Sequence, residues 1–581
     1  MRINDVVNSA QVGHVQGSSN PKELAKEKKI EELKEFAEPQ TLSTGSAIPK
    51  SLINPESSIN NTEQLVNVSE NPMIINSILK QQIKELRSLA EDLQALNSIE
   101  TLTDWDLQTK MPPKGAEIRA WQRGYLKKQY HEILTSSEIG NLIQALNNEL
   151  MLKQLSLFDK ALVRELTTQY NREKNIPSVL IQELTEVTTE AHYKWKEAKD
   201  TNNFELFVPY LEKIVSMKRQ MAECIGYSGS PYNALLDYYE SGMNTETLDA
   251  LYLKLKHALV PIVQVIKNSP EQIDKSFLIR DYDCDKQMEV SKMVLDQIGF
   301  DLKRGRLDKS EHPFSMGISP NDVRLTTKIY KNNLFWAIST AAHEGGHGIY
   351  DQGFDPVFAR TPLFDGASLS IHESQSKLYE INVGQSLPFW ESFYPKLKEI
   401  FPEQLGNVSL EQFYKAINKV NITPIRLYAD EVSYNLHLII RYEIEKDLIE
   451  GKLEVKDVPK SWKQKTEEYL GVTPQNDAEG VLQDVHWSCG DIGYFPTYTL
   501  GTLYATQLYN SAKKEIPDLE DKIKSGNLIP LKEWLNEKVH KYARSKLPNE
   551  IIKDATGEPL NPDYFINYIK EKYSKIYSVT L

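Results

Sequence analysis

Asn332-Asn333-Leu334-Phe335-Trp336-Ala337-Ile338-Ser339-Thr340-Ala341-Ala342, running on into His343-Glu344-Gly345-Gly346-His347, is the stretch from which this 581-residue chain is read. Leu334, Phe335, Ile338, Ala341 and Ala342 recur at helical spacing. On such a helix His343 and His347 stand one turn apart on one face. Two imidazoles so placed bind one divalent ion, usually zinc, and Glu344 beside them is placed to hold a bound water as general base of a metal-dependent peptidase. The bland alternative is two polar surface histidines, and the apolar flanks argue against it. Gly345 and Gly346 argue against it too. Each costs a helix roughly 1 kcal/mol relative to alanine, which predicts a close neighbour at one of them. A third ligand lies downstream in Ile371-His372-Glu373-Ser374-Gln375. Glu373 on a second helix would complete a two-histidine, one-glutamate set with a fourth position open to water. Glu380 is the alternative carboxylate.

Composition narrows the class. A net charge of −13 and the lack of a long Lys/Arg cluster exclude a nucleic-acid footprint. Cys224, Cys284 and Cys489 are scattered and odd in number, so no disulfide framework is implied and a reducing compartment fits. Cys489 reads as a small buried filler rather than a reactive thiol. No apolar run approaches the roughly 18 residues of a membrane span, and the N-terminus has no signal-peptide pattern. A cytoplasmic protein with no membrane partner is expected.

Residues 1–72 are rich in Ser, Asn, Glu, Lys and Pro and read as a disordered leader, with at most an isolated helix over Lys22–Phe36. From Met73 long helical patterns take over, through Ile78–Leu93, Leu142–Leu157, Leu180–Trp195, Phe204–Met221, Leu248–Ile266 and Met288–Ile298. Pro and Gly punctuate them at Met111–Gly115 and Gly226–Pro231. Asp322–Tyr330 alternates like a strand and stands ready to pair with an extended peptide. A further helix is expected over Pro424–Ile449. The expected architecture is all-α, one large catalytic unit over 73–581 with a groove and a very small β-sheet beside the metal helix.

Laid out in order, these residues resemble the carboxypeptidase Taq family of HExxH metallocarboxypeptidases. The resemblance rests on His312-Pro313-Phe314, on Asp322, Arg324 and Thr326 of DxRxT, and on the HExxH itself. It continues through His372-Glu373-Ser374-Gln375, then Ile425, Arg426, Ala429 and Asp430 of IRxxAD, and Gly480 to Trp487 of GxxQDxHW. Asp104-Trp105-Asp106 with Met111-Pro112 also looks like the family's. The resemblance implies a saddle-like helical fold with a deep groove, a homodimer, a single metal ion and stepwise removal of C-terminal residues with broad tolerance. It places Arg426 at the substrate's C-terminus.

The expected roles follow. His343, His347 and Glu373 hold the metal, zinc or alternatively cobalt, and Glu344 activates its water. Either His486 or Tyr498 supplies the second oxyanion donor. Arg426 recognises the terminal carboxylate, with Arg324 and Arg441 as alternatives. Asp430, four residues on, holds Arg426 or backs a metal ligand. His312 lies near the groove, and Gln483 and Asp484 orient neighbours. Two other readings compete: an endo-acting oligopeptidase on a similar groove, and a non-enzymatic scaffold, which would need neither Glu344 nor a complete ligand set.

Overall fold

The computed structural model describes residues 72–581, so the leader expected over 1–72 lies, but for its last residue, outside the described residues. Leu79–Leu581 forms one compact unit built mostly of helices. Many of these helices start where a short polar side chain can accept an orphan backbone N–H. Asn148 takes Met151 N, Ser156 takes Asp159 N, Asn333 takes Trp336 N and Ser368 takes Ile371 N. The first two correct the expectation of one helix over Leu142–Leu157. Those caps, with Leu155 extended, break the segment into Ser137–Leu146, Glu149–Gln154 and a new helix from Leu157.

The only sheet among the described residues has three strands, β1 (Gly305–Lys309), β2 (Ser315–Ser319) and β3 (Asp322–Thr327), in the order β1-β3-β2. β3 pairs parallel with β1 and antiparallel with β2. The strand seen in the sequence is therefore the central one. Both its edges are used, so it has no backbone groups left for a peptide; the edge strand beside the site is β2. Val323 and Leu325 of β3 are fully buried. A Cβ at Gly348 would meet Phe300 Cε2 at 2.6 Å and Leu325 Cδ2 at 2.9 Å, so that glycine lets the sheet lie against the helix Leu334–Gln352.

The helix expected over Pro424–Ile449 begins only at Tyr434. Before it, Arg426–Tyr428 forms a single 3₁₀ turn and Ala429 is extended. Asp430 stops the helix from reaching back. Its carboxylate accepts Val432 N at 2.9 Å, Ser433 N at 3.0 Å and Asn421 N at 2.9 Å. Residues 426 and 430 are thus not on one helix face, and Asp430 does not hold Arg426.

Candidate active site

Helix Leu334–Gln352 carries His343, Glu344 and His347; a second helix, Leu369–Lys377, carries His372 and Glu373. The two come together at Gly346, while Gly345 faces the helix Cys284–Ile298. A Cβ at Gly346 would stand 2.7 Å from Ser376 Cα, and one at Gly345 would meet Ile298 Cδ1 at 2.5 Å. Both glycines therefore have the close neighbours their helix cost foretells. A third helix, Pro496–Glu515, lies along the other side of Glu373, with Gly501 opposite it.

This packing gathers one ligand atom each from His343, His347 and Glu373 within 4.8 Å of one another. Glu373 Oε2 lies 3.7 Å from His343 Nε2 and 3.5 Å from His347 Nε2. Those separations are long for hydrogen bonds. They suit a shared ion, since ligands bonded at ~2.0–2.1 Å in a tetrahedron stand roughly 3.3–3.4 Å apart. The donor set, two imidazoles and a carboxylate, fits a divalent metal. Although burial works against it, His343, His347 and Lys377 hold the Glu373 carboxyl well below the usual carboxylate range, in the ionised form a ligand needs.

Behind each histidine stands an orienting partner. His343 Nδ1 meets Glu380 Oε2 at 2.8 Å. Glu380 in turn accepts Ser339 Oγ at 3.0 Å and Lys377 Nζ at 3.0 Å. The π-helical turn Leu378–Val383 sets Glu380 in this position, behind His343 and outside the ligand cluster. On the other side His347 Nδ1 meets His372 Nδ1 at 2.6 Å, and His372 Nε2 meets Asp351 Oδ1 at 2.9 Å. With Asp351 accepting from His372 Nε2–H, His372 Nδ1 accepts from His347 Nδ1–H, leaving His347 Nε2 bare on the ligand side. The motif HESQ contains His372, but nothing in its spacing revealed this relay. Glu344 is 6% exposed, and burial pushes its carboxyl above the ordinary value.

A pocket of about 160 Å³ opens over His347, Glu373 and His372, walled by Ser315–Gly317 of β2, Tyr494, Tyr498 and the Glu100/Asp104 stretch. Asp104 and Glu100 are both tied to Arg123, at 2.6 and 2.7 Å. Tyr498 stands on the first turn of Pro496–Glu515, and its OH lies 3.5 Å from His486 Nε2. His486 packs against Phe495, ring centroids 4.5 Å apart.

Arg426 is 6% exposed and belongs to a buried charge cluster. Its Nε and Nη2 donate to Asp484 Oδ1 at 3.0 and 2.7 Å, and its Nη1 donates to Tyr434 OH at 3.1 Å. Arg441, fully buried, donates to the other oxygen of Asp484 at 2.6 Å. Gln483 Oε1 accepts Arg426 N at 2.7 Å. Gln483 and Asp484 thus orient Arg426, as expected of them. Two guanidiniums share one carboxylate, which leaves a buried excess of one positive charge. Tyr434 links the cluster to Glu373, because Lys377 Nζ sits 5.4 Å over its ring and 3.7 Å from Glu373 Oε1.

Arg324 and His312 stand apart from this gathering. Arg324 pairs with Asp322 at 2.8 Å and lies 4.5 Å over Trp105. His312 is exposed, and the loop behind it is tied down by Phe314 N donating to Thr326 Oγ1 at 2.9 Å. Neither lines the pocket over Glu373.

Comparison with known proteins agrees with this geometry. Residues 85–573 match the family described as carboxypeptidase Taq (M32) metallopeptidase. The chain is 40% identical to carboxypeptidase 1 of Bacillus subtilis over 85% of its own length and 98% of that protein's. It is 38% identical to thermostable carboxypeptidase 1 of Thermus thermophilus, covering 83% of this chain and 96% of the relative. Among solved structures, the M32 carboxypeptidase from Deinococcus radiodurans superposes with a TM-score of 0.83 at 34% identity, over 86% of this chain and all of that one.

Proposed function

We propose, from the premise that this chain belongs to the carboxypeptidase Taq (M32) metallopeptidases and is a metallocarboxypeptidase, that it releases C-terminal residues from peptides one at a time with broad tolerance for the residue released. The observation that carries the reading is the three-donor cluster with Glu344 buried beside it. His343, His347 and Glu373 would hold the divalent ion, for which we propose zinc over cobalt. When bound, that ion supplies a Lewis acid and lowers the pKa of water.

The remaining work belongs to the chain's own groups. Glu344 takes the proton of the attacking water and returns it to the leaving amine, and its burial raises its hold on that proton. Glu380 keeps the His343 ring in place, and the His372–Asp351 relay does the same for His347. His486 or Tyr498, whose polar atoms lie 3.5 Å apart, donates to the developing oxyanion. Arg426 takes the terminal carboxylate. The excess positive charge it shares with Arg441 supports that role, and a rigid guanidinium suits it. Edge strand β2 runs along the substrate backbone, and Arg324 of β3 and His312 of the β1–β2 loop, which lie outside the pocket over Glu373, meet the peptide further out. A homodimer and a cytoplasmic location complete the proposal. Among the described residues no helix is long and apolar enough to cross a membrane.

The test is to incubate the protein with a peptide and its C-terminally amidated twin and read the products by mass spectrometry. Single-residue ladders from the free acid alone are expected. Internal cuts in both peptides would mean an endopeptidase, and no cuts a scaffold.

A further inference from the structure

A second cavity, of about 570 Å³, is larger than the pocket over the metal ligands and shares Leu369 and Tyr494 with it. Leu369 opens the helix that carries Glu373, and its backbone N–H is bonded to Tyr239 O at 3.2 Å. The two spaces are therefore neighbours across the first turn of that helix.

The walls of the larger cavity carry five cationic side chains against three carboxylates. Most of these are matched. Arg172 pairs with Asp237 at 2.6 Å, Arg544 with Asp365 at 2.7 Å and Glu165 at 3.0 Å, and Lys546 with Asp554 at 2.8 Å. Arg164 and Lys218 remain; Glu165 and Glu550 act on Arg164, and Asp491 on Lys218, only from a distance. Among the described residues no carboxylate lies within ion-pair distance of either. Arg164 gives one N–H to the Arg544 carbonyl at 2.7 Å, which neutralises nothing. Burial pushes both cations toward their neutral forms, a cost that an incoming anion relieves.

A peptide held by its C-terminus at Arg426 and cut beside Glu373 must run its upstream residues away from Arg426. Arg426 lines neither space, whereas the larger cavity adjoins the pocket where the bond is cut. We propose that this cavity is the upstream part of the substrate cleft and that Lys218 and Arg164 receive an acidic side chain of the peptide there. This inference rests on the carboxypeptidase reading.

The metal-loaded full chain is given free-acid peptides that carry Glu, Gln or Lys at one upstream position at a time. kcat/KM for release of the terminal residue is measured at low and high salt. At one position at least, Glu should be preferred over Gln by roughly fivefold, the scale of one partly exposed charge pair, with Lys poorest. The preference should shrink as salt rises. In Lys218→Met and Arg164→Gln the Glu-to-Gln ratio should fall toward one, and Lys218→Glu should turn the preference toward Lys. Equal cleavage of all three peptides at every position by the wild-type chain overturns the inference even if the variants do not fold. So does an acidic preference that survives both Lys218→Met and Arg164→Gln. Peptides that are not trimmed from the C-terminus at all would instead sink the carboxypeptidase reading, and this inference with it.

Discussion

Gly501→Ala sets two physical rules against each other. Gly501 lies inside the helix Pro496–Glu515, where alanine is the better helix former by about 1 kcal/mol. Propensity alone therefore predicts a more stable protein. The structure predicts the opposite, because a Cβ at 501 would stand 2.6 Å from Glu373 Cγ and 2.7 Å from Glu373 Cβ. Ordinary contact begins at 3.4 Å, so the pair must open by 3.4 − 2.6 = 0.8 Å. The crowded atoms are the root of the Glu373 side chain and cannot swing aside as a flexible tip would. Glu373 is also gripped by its neighbours, with Ser376 Oγ on Oε2 at 3.2 Å. Overpacking of this kind costs about 1–3 kcal/mol, which cancels or exceeds the propensity gain. The displacement is also several times the ~0.2 Å tolerance of a metal–ligand distance. The expected outcome is metal affinity weakened by about tenfold or more, and kcat/KM reduced on the order of 10²-fold, as for a 1 Å misplacement of a reacting group. Metal titration by calorimetry, elemental analysis after dialysis, thermal unfolding of the metal-free protein and peptide kinetics read these effects separately. A variant with wild-type metal affinity, kcat/KM within threefold of wild type and a raised Tm would show that Glu373 is not confined by Gly501.

Further outcomes are expected. Glu344→Gln should lower turnover by at least about 10²-fold while metal content stays at the wild-type level; loss of the metal, or more than about a tenth of the activity remaining, contradicts the general-base role. Arg426→Ala should lose about 2–5 kcal/mol of preference for free-acid over amidated peptides, and Arg426→Lys should recover only part; a variant that keeps the preference points to Arg441 or Arg324 instead. A chain beginning at Met73 should fold and cleave peptides like the full one, as seen by solubility and kcat/KM; loss of either would show that residues 1–72 are part of the catalytic unit. Glu445 should make stability fall as pH rises. It is fully buried and accepts Tyr232 OH at 2.7 Å, Trp487 Nε1 at 2.8 Å and Gly493 N at 2.9 Å, yet burial still lifts its carboxyl to about 7. A raised carboxyl binds its proton more tightly in the native state. Its stabilisation is whole below the unfolded value near 4.5 and is lost as pH climbs through about 7, a difference of about 3 kcal/mol. Calorimetric Tm values at pH 5 and 8 should therefore diverge more for wild type than for Glu445→Gln, and equal divergence would refute the assignment.

The histidine pair of the candidate metal cluster was legible because its parts are local. Two histidines at i and i+4 share a face by helix geometry alone, whatever the helix packs against. The double glycine announced a close neighbour because a helix keeps such residues at a cost. The motif around Glu373 pointed to it as the third donor, and the alternation of Asp322–Thr327 pointed to the small sheet.

The tertiary structure decided the partners. Arg426 and Asp430 have the spacing of a helical ion pair, but Asp430 is used by backbone N–H groups and the helix starts at Tyr434, so Arg426 finds Asp484 in another segment. Glu380 looked like a spare ligand, yet a π turn sets it behind His343 instead. The His347–His372–Asp351 relay joins two helices, and Gly501 faces Glu373 across a third. Backbone periodicity settles which residues of one helix share a face, and that is written in the sequence. Which side chains meet between helices depends on how close their backbones can come, and that follows only from the packing of the whole chain.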